Sequence, residues 1–356
     1  MRRAAGEVTM GGGPAGGDRR RLRVGACLSL SGGHARFGRQ AALGLEAWRS
    51  LDGSADLVVA DDRSDPRTLE SVLEAITAET DLLLGPYSTH LMRTAGRFAE
   101  RADLLLWNHG GSGDDVEAAH PGHVVSVPTP ASRYAEPFLR WLAGDPERVD
   151  LWIAQGAGGF GRQVAAGAQR SAHAFGLGTV RLVDAPGPAT LEPPARWDLF
   201  CAGSFDEDVE TVRRALDLSH RPRTIGAVAA GVSAFGRAVD DPFGVFGVGQ
   251  WAPHRETSAT LGPAEADFLA AYAELAGGPP DYPAVQAAAA AVLAVHCARR
   301  AGGTTRAALW PVAAGLRAET LFGAFDIDPR TGVQVGHETV LTRWAATGPV
   351  HIRTPA

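Results

Sequence analysis

The sequence of 356 residues contains no lysine, and all 34 of its basic residues are arginines. Lysine is needed for a Schiff base, for attachment of pyridoxal phosphate and for the phosphate contact of a P-loop, so these three chemistries are excluded. A GC-rich genome also favours arginine codons, and arginine replaces lysine at most exposed positions. The absence of lysine therefore excludes these three chemistries, but it does not indicate what the protein does.

Cysteine is scarce as well, with Cys27 and Cys201 in apolar strand-like runs and Cys297 in an alanine-rich stretch. An odd number of cysteines gives no complete disulfide framework, and the sequence has no Cys/His spacing typical of a zinc site. We expect three free, buried thiols and no metal. The string VGAC resembles a lipoprotein cleavage site only superficially, because GGDRRRLR precedes it instead of an apolar run.

Long hydrophobic runs are missing too. The stretch AVQAAAAAVLAVHCA is shorter than a membrane span and contains Gln286 and His296, so we expect a buried helix and no membrane insertion. Residues 1–22 lack the apolar centre of a signal peptide; we expect a disordered leader, and a cytoplasmic protein if the chain starts as written. The net charge of −6 is modest and basic residues are scattered, which argues against a nucleic-acid partner.

Four short segments near the start of the chain have the pattern of buried parallel strands that end in polar turns. They are RVGACLSLSGGHARFG, LVVADDRSDP, DLLLGPYST and LLLWNHGGSGDD. This alternation predicts an open parallel sheet with ligands bound at the carboxyl ends of its strands. The turns carry hydroxyl, amide and glycine groups that can donate hydrogen bonds to a small polar molecule; we take the candidates to be Ser88, Thr89, Asn108, His109, Gly110 and Gly111.

In this order and spacing, the segments resemble the type I periplasmic binding proteins, in particular the branched-chain amino acid and amide-binding group that serves ABC transporters. GPYST is similar to the Gly-Pro-x-Ser-Ser/Thr turn of that family, and the likeness continues through IAQGAGGFG, WDLFCAG and TIGAVAAGV to the tail. It covers most of the chain from about Arg23. The resemblance implies an α/β fold of two Rossmann-like lobes, with parallel central sheets joined by three crossovers.

The resemblance also implies how the chain divides and what it does. Lobe one would comprise residues 23–128 and 253–321, and lobe two residues 129–252 and 322–356. The lobes would close by a hinge on a small ligand, without catalysis or a cofactor, and an ABC permease would be the partner. A cytosolic ligand sensor of the amide-sensor type, with the same fold, stays open as an alternative.

The ligand class also stays open at this stage. A ligand carboxylate suits the GPYST turn, because a helix N-terminus there supplies N–H donors and positive potential. By the resemblance, an acidic partner for a ligand ammonium would fall near residues 231–233, which are Gly, Val and Ser here. An amino acid, an amide and a small carboxylate remain candidates. The further predicted contacts are mostly aromatic walls: Phe37, Tyr87, Phe160, Ser204, Phe205, Trp251 and Tyr282.

A rival interpretation rests on GAGGFG, which forms a G-x-G-x-x-G pattern between an apolar strand and a predicted helix. Asp184 ends the next strand, as the acid of a dinucleotide fingerprint does, although it lies somewhat farther along the chain than usual. A nicotinamide-dependent enzyme is therefore the third hypothesis. Other enzyme signatures are missing: the sequence has no H-E-x-x-H and no G-x-S-x-G, and we expect no catalytic residues.

Overall fold

The computed structural model describes residues 21–185, 193–253 and 259–353. Within these ranges the helices are α1 Ala35–Asp52, α2 Pro66–Thr77, α3 Thr89–Arg101, α4 Glu136–Ala143, α5 Gly159–Ala174, α6 Phe205–Asp217, α7 Phe235–Ala238, α8 Glu265–Ala276, α9 Tyr282–Ala301 and α10 Arg306–Ala314. The strands are β1 Leu22–Leu28, β2 Ala55–Asp61, β3 Leu82–Leu84, β4 Leu106–Asn108, β5 Val124–Ser126, β6 Asp150–Gln155, β7 Val180–Asp184, β8 Trp197–Ala202, β9 Thr224–Ala227, β10 Phe246–Gly249, β11 Ala318–Thr320, β12 Gly323–Phe325, β13 Val340–Ala345 and β14 Gly348–Ile352.

The first sheet is parallel throughout and has the strand order β2-β1-β3-β4-β5. Helices α1, α8, α9 and α10 cover one face, and α2 and α3 cover the other, so the short apolar strands are buried on both sides. The alanine-rich segment forms α9, most of which is buried, as predicted. Small side chains let α1 approach it closely: a Cβ on Gly44 would lie 2.1 Å from the carbonyl oxygen of Ala284.

The second sheet has the order β14-β13-β10-β9-β8-β6-β7. Strands β6 to β10 are parallel, and β13 and β14 add an antiparallel edge. The central strands are parallel as predicted, and the antiparallel edge arises because β13 enters the sheet from lobe one beside the end at which β10 leaves it, with Val340 opposite Gly249. A short turn then reverses the chain into β14. The segment VFGVGQWAPH, which resembled a crossover, first forms β10 and leaves the sheet only at Gln250.

Three connections join the two sheets, and a buried hydrogen-bond cluster ties them together. The backbone N–H of Thr129 donates to Oε1 of Gln250 (3.0 Å), and the Gln250 amide donates back to the Thr129 carbonyl (3.1 Å). The Thr129 hydroxyl lies 2.7 Å from Nδ1 of His337. Each of these residues belongs to a different connection, so one cluster fixes where all three cross.

The third connection crosses later than the predicted boundary at Phe322. That ring belongs to the core of the first lobe and stacks on His337, with ring centroids 4.2 Å apart. Strand β13 starts only at Val340. The β11–β12 hairpin and the turn after it therefore pack on lobe one, and the chain enters lobe two beyond His337.

The remaining predictions on cysteines, membrane spans and the leader have separate outcomes. Cys27, Cys201 and Cys297 are free and buried, as predicted. No helix within the described ranges has the length and apolar character needed to cross a membrane. Residues 1–20 of the predicted leader lie outside the described residues, and Leu22 already belongs to β1.

Candidate functional site

A cavity of about 200 Å³ lies between the lobes, where the carboxyl ends of the two sets of parallel strands face each other. Turns and helix starts from both lobes form its wall. The lining residues are His34, Phe37, Tyr87, Ser88, Thr89, Gly110, Ser112, Tyr134, Phe160, Gly203, Ser204, Phe205, Val228, Ala229, Val232 and Tyr282.

Most of the residues predicted from the sequence meet at this cavity. Those that line it are Phe37, Tyr87, Ser88, Thr89, Gly110, Phe160, Ser204, Phe205 and Tyr282. Asn108, His109 and Gly111 are buried behind the wall, outside the lining set. Trp251 also lies elsewhere, in the second connection, where its indole N–H donates to the carbonyl of Leu321 (3.0 Å).

The GPYST turn places the start of α3 at the cavity. Ser88 is the N-cap and has a φ of 92°, which is unusual for a residue with a side chain. Its backbone N–H donates to the Gly110 carbonyl (3.2 Å), which joins the turn to the neighbouring one after β4. The Ser88 hydroxyl caps the helix by accepting from the N–H of Leu91 (3.4 Å). Thr89 is the first helical residue and lines the cavity, so the positive end of the helix dipole lies at the cavity.

Asn108 shapes the neighbouring turn from behind. Its side-chain oxygen accepts hydrogen bonds from the N–H groups of Gly110 (3.1 Å) and Gly111 (2.8 Å). Its amide nitrogen donates to the Gly111 carbonyl (2.6 Å) and to the hydroxyl of Ser126 (2.5 Å). The predicted ligand contact is therefore a supporting residue, because its hydrogen-bonding capacity is used within the turn.

A buried carboxyl group, that of Glu117, lies behind Asn108 and Ser126. The Ser126 hydroxyl donates to Oε1 of Glu117, which is 4% exposed. Burial raises the pKa of Glu117 to about 8. His109, also fully buried, has its pKa lowered by burial to about 4 and is therefore neutral at physiological pH. The layer behind the Gly110 turn is thus close to neutral.

Aromatic rings form much of the wall on both sides. Phe37 and Tyr87 of lobe one stack with centroids 4.6 Å apart, and Tyr134 meets Phe160 of lobe two edge to face at 5.5 Å. Phe205 completes the ring surface beneath the Arg36 guanidinium. Flat apolar walls of this kind suit a planar ligand.

No aspartate, glutamate or arginine from the described ranges lines the cavity. Glu207 points away and serves a capping box, accepting from the N–H of Ser204 (2.7 Å), while Asp206 is exposed. Asp208 is buried and accepts from the N–H groups of Gly203 (2.7 Å) and Ala229 (2.9 Å), and burial raises its pKa to about 7. These acids hold the backbone of the wall and leave its surface uncharged.

The lobes touch across the mouth of the cavity. The guanidinium of Arg36 lies 4.0 Å from the Phe205 ring centroid and 3.6 Å from the Asp206 carboxylate. On another side, the Ser233 hydroxyl donates to Asp281 (2.7 Å). The structure thus holds the two lobes together around the cavity.

The glycines of GAGGFG serve packing in this structure. A Cβ on Gly156 would lie 2.7 Å from the Cα of Gly203, and one on Gly161 would lie 2.7 Å from the Ala202 carbonyl. The N–H of Ala157, which a dinucleotide phosphate would need, donates to Oε1 of Glu207 (2.9 Å). A carboxylate at this place repels a phosphate.

Sequence reasoning missed several lining residues. His34 and Ser112 belong to turns that were recognised as binding turns, so neighbouring positions gave a usable signal. Tyr134 follows the first connection and carries no local signal, because only the tertiary fold turns it back to the cavity. The other residues missed are Gly203, Val228 and Ala229. Val232 lies in segment 231–233, which the resemblance placed beside a ligand ammonium, and it lines the cavity.

Comparisons with known proteins establish the fold. No protein-family model and no curated protein matches the sequence. A leucine-binding protein of Thermotoga maritima has a TM-score of 0.78 at 14% identity, over 93% of this chain and 98% of that chain. A solute-binding protein of an ABC transporter from Rhodopseudomonas palustris, solved with 3,4-dihydroxybenzoic acid, has a TM-score of 0.76 at 16% identity, over 94% and 96%.

A third similar structure points to the same fold. The branched-chain amino acid binding protein LivJ of Streptococcus pneumoniae, solved with isoleucine, has a TM-score of 0.76 at 14% identity, over 94% of this chain and 100% of that chain. The fold is therefore that of the type I periplasmic binding proteins, as the sequence predicted. Its neighbours include binding proteins for both amino acids and aromatic acids.

The buried Glu117 predicts a pH dependence of stability. Between about pH 4.5 and pH 8 the folded protein retains a proton that the unfolded chain releases, so the free energy of unfolding falls as pH rises through this window. Glu117→Gln keeps the accepting Oε1 but cannot ionise. We expect the variant to lose roughly 2 kcal/mol or more of the stability change seen in the wild type between pH 5 and pH 8.

Urea unfolding of both proteins at the two pH values measures this difference. Glu74→Gln, at an exposed position on α2, is the matched control and should retain the wild-type dependence. If Glu117→Gln showed the full wild-type dependence, the carboxyl group would be ionised in the fold, contrary to the prediction.

Proposed function

We propose that the protein is a non-enzymatic binding protein that holds one small ligand between its lobes and delivers it to the permease of an ABC transporter. The fold, the position of the cavity at the carboxyl ends of both sheets and the functions of the structural neighbours support this proposal. The surroundings of GAGGFG favour binding over nicotinamide chemistry.

The ligand we propose is a small aromatic carboxylate without an ammonium group. The observation that carries this choice is the cavity wall, which is rich in aromatic rings and has no aspartate or glutamate among the described residues. A desolvated ammonium without a carboxylate partner is costly. A carboxylate, in contrast, is stabilised by N–H groups at a helix N-terminus without a cation. Neighbours solved with benzoate and 4-hydroxybenzoate have the same fold.

A ligand panel tests the proposed class. We expect benzoate and 3-phenylpropionate to raise the melting temperature, and leucine, isoleucine and valine to have little effect; a ligand at 100 times its Kd stabilises by about 2.7 kcal/mol. Phenylalanine is the matched control, since it differs from 3-phenylpropionate only by its ammonium. Micromolar binding of leucine or phenylalanine by calorimetry would show that the cavity accommodates an amine after all.

A substitution at the GPYST turn tests the carboxylate anchor. We expect Ser88→Ala with Thr89→Val to weaken benzoate binding at least tenfold, because charge-assisted hydrogen bonds contribute about 1.5–3 kcal/mol each. Ser88→Gly with Thr89→Val is a second version that relieves the positive φ of residue 88. Ser71→Ala, on the exposed face of α2, is the control. Unchanged affinity for benzoate in both double variants would show that the ligand carboxylate does not bind at the GPYST turn.

Contacts across the cleft predict closure on the ligand. The Arg36–Phe205 and Ser233–Asp281 contacts hold the lobes together, and we expect them to separate in the free protein by rotation about the connections at Thr129, Gln250 and His337. Small-angle scattering should then give a smaller radius of gyration with saturating benzoate than without it. Identical scattering curves would count against a hinged binding protein.

A further inference from the structure

Tyrosine is concentrated at the cavity. The chain has four tyrosines, and Tyr87, Tyr134 and Tyr282 all line the cavity. The fourth, Tyr272, packs on Phe268 in the core of lobe one, with ring centroids 6.2 Å apart. Three phenol hydroxyls are therefore brought to one small space that has no charged carboxylate or guanidinium in its described wall.

Two of these hydroxyls form a pair. The oxygen atoms of Tyr87 and Tyr282 lie 3.2 Å apart, within hydrogen-bond distance, and either can be the donor. Both rings come from lobe one: Tyr87 precedes the cap of α3, and Tyr282 is the first residue of α9. The pair is therefore present on one lobe before closure.

Proton counting gives the pair a free donor. Two phenol groups carry two protons, and the hydrogen bond between them uses one. The second O–H is not used by the pair and can be donated to an acceptor in the cavity. Burial raises the pKa of both phenols, so both stay protonated at physiological pH. A second neutral pair lies nearby, where the Ser112 and Tyr134 oxygens are 2.9 Å apart.

We propose that the Tyr87–Tyr282 pair is a second polar anchor, which selects aromatic carboxylates that carry another oxygen on the ring. The free O–H of the pair donates to that oxygen, and a ring hydroxyl can in turn donate to a tyrosine oxygen. This proposal rests on the proposed function, with the ligand carboxylate at Ser88 and Thr89. It deepens that function by predicting that a hydroxybenzoate or a related ring-oxygenated acid is preferred over benzoate.

Wild-type protein provides the first test. We expect 3-hydroxybenzoate or 4-hydroxybenzoate to bind at least tenfold more tightly than benzoate in calorimetry. The matching methylbenzoate places a group of similar size at the same ring position without an oxygen, so it should bind no better than benzoate. If the methylbenzoate and the hydroxybenzoate bound with equal affinity, the shape of the ligand alone would explain any preference over benzoate. The proposal that the tyrosine pair is a polar anchor would then be wrong.

Tyrosine-to-phenylalanine variants provide the second test. If the two rings only packed against the ligand, these variants would not change the preference for the hydroxybenzoate in the pattern described below. Tyr87→Phe leaves Tyr282 with its own proton, and Tyr282→Phe leaves Tyr87 with its own. Each single variant should therefore keep most of the preference for the hydroxybenzoate, within about threefold. The double variant has no phenol proton at this place and should lose the preference. Tyr272→Phe, the same chemical change outside the cavity, is the control.

The preference is measured as the ratio of two affinities on one protein sample, so a change in folded fraction does not affect it. If the double variant kept both the wild-type ratio and the wild-type affinity for benzoate, the pair would not be the anchor, although the proposed function would stand. If the double variant lost benzoate and hydroxybenzoate equally, the pair would hold the carboxylate, and the proposed selection would be overturned. If wild type bound none of these acids, the proposed function itself would fail.

Discussion

The structure depends on one constraint, which is that the strands of a parallel sheet all present their carboxyl ends at the same edge. Each lobe has such a sheet, and the buried cluster of Thr129, Gln250 and His337 fixes how the two edges face each other. Most residues that line the cavity follow from this arrangement, since they belong to the turns after the strands or to the starts of the next helices; Tyr134 and Tyr282 reach the cavity from other connections. The polar character of those turns then becomes the chemistry of the site.

The charge of the cavity surface depends on the direction in which the nearby acidic side chains point. Glu207 and Asp208 are close to the cavity along the chain, yet both carboxyl groups accept hydrogen bonds from backbone N–H groups of the wall. They position Gly203 and Ala229, and no aspartate, glutamate or arginine of the described residues lies on the surface of the cavity. An uncharged cavity with a helix N-terminus at one side favours an anion over a zwitterion, because the anion finds its donors and the ammonium finds no partner.

The sequence predicted the architecture and much of the wall because short buried strands followed by Gly, Ser and Thr are local patterns. Residues such as Ser88 and Phe160 lie directly after strands, so their approximate place follows from chain order. Asn108 was misplaced because an amide in a turn can bind a ligand or its own backbone, and only coordinates separate the two. Tyr134 and the late third crossing depend on contacts between segments distant in sequence, such as Phe322 with His337, which no local pattern records.

The glycine pattern G-x-G-x-x-G shows why a motif is interpreted by its surroundings. A tight turn between a strand and a helix needs glycine whenever the next turn in the sheet packs against it, and here Gly156 meets Gly203 while Gly161 meets the Ala202 carbonyl. A dinucleotide site has the same steric requirement, so the glycines alone do not separate the two. The two kinds of site differ in whether the backbone N–H groups of the turn are available to a phosphate. In this chain the N–H of Ala157 donates to the Glu207 carboxylate, and that negative charge occupies the place that a phosphate would take.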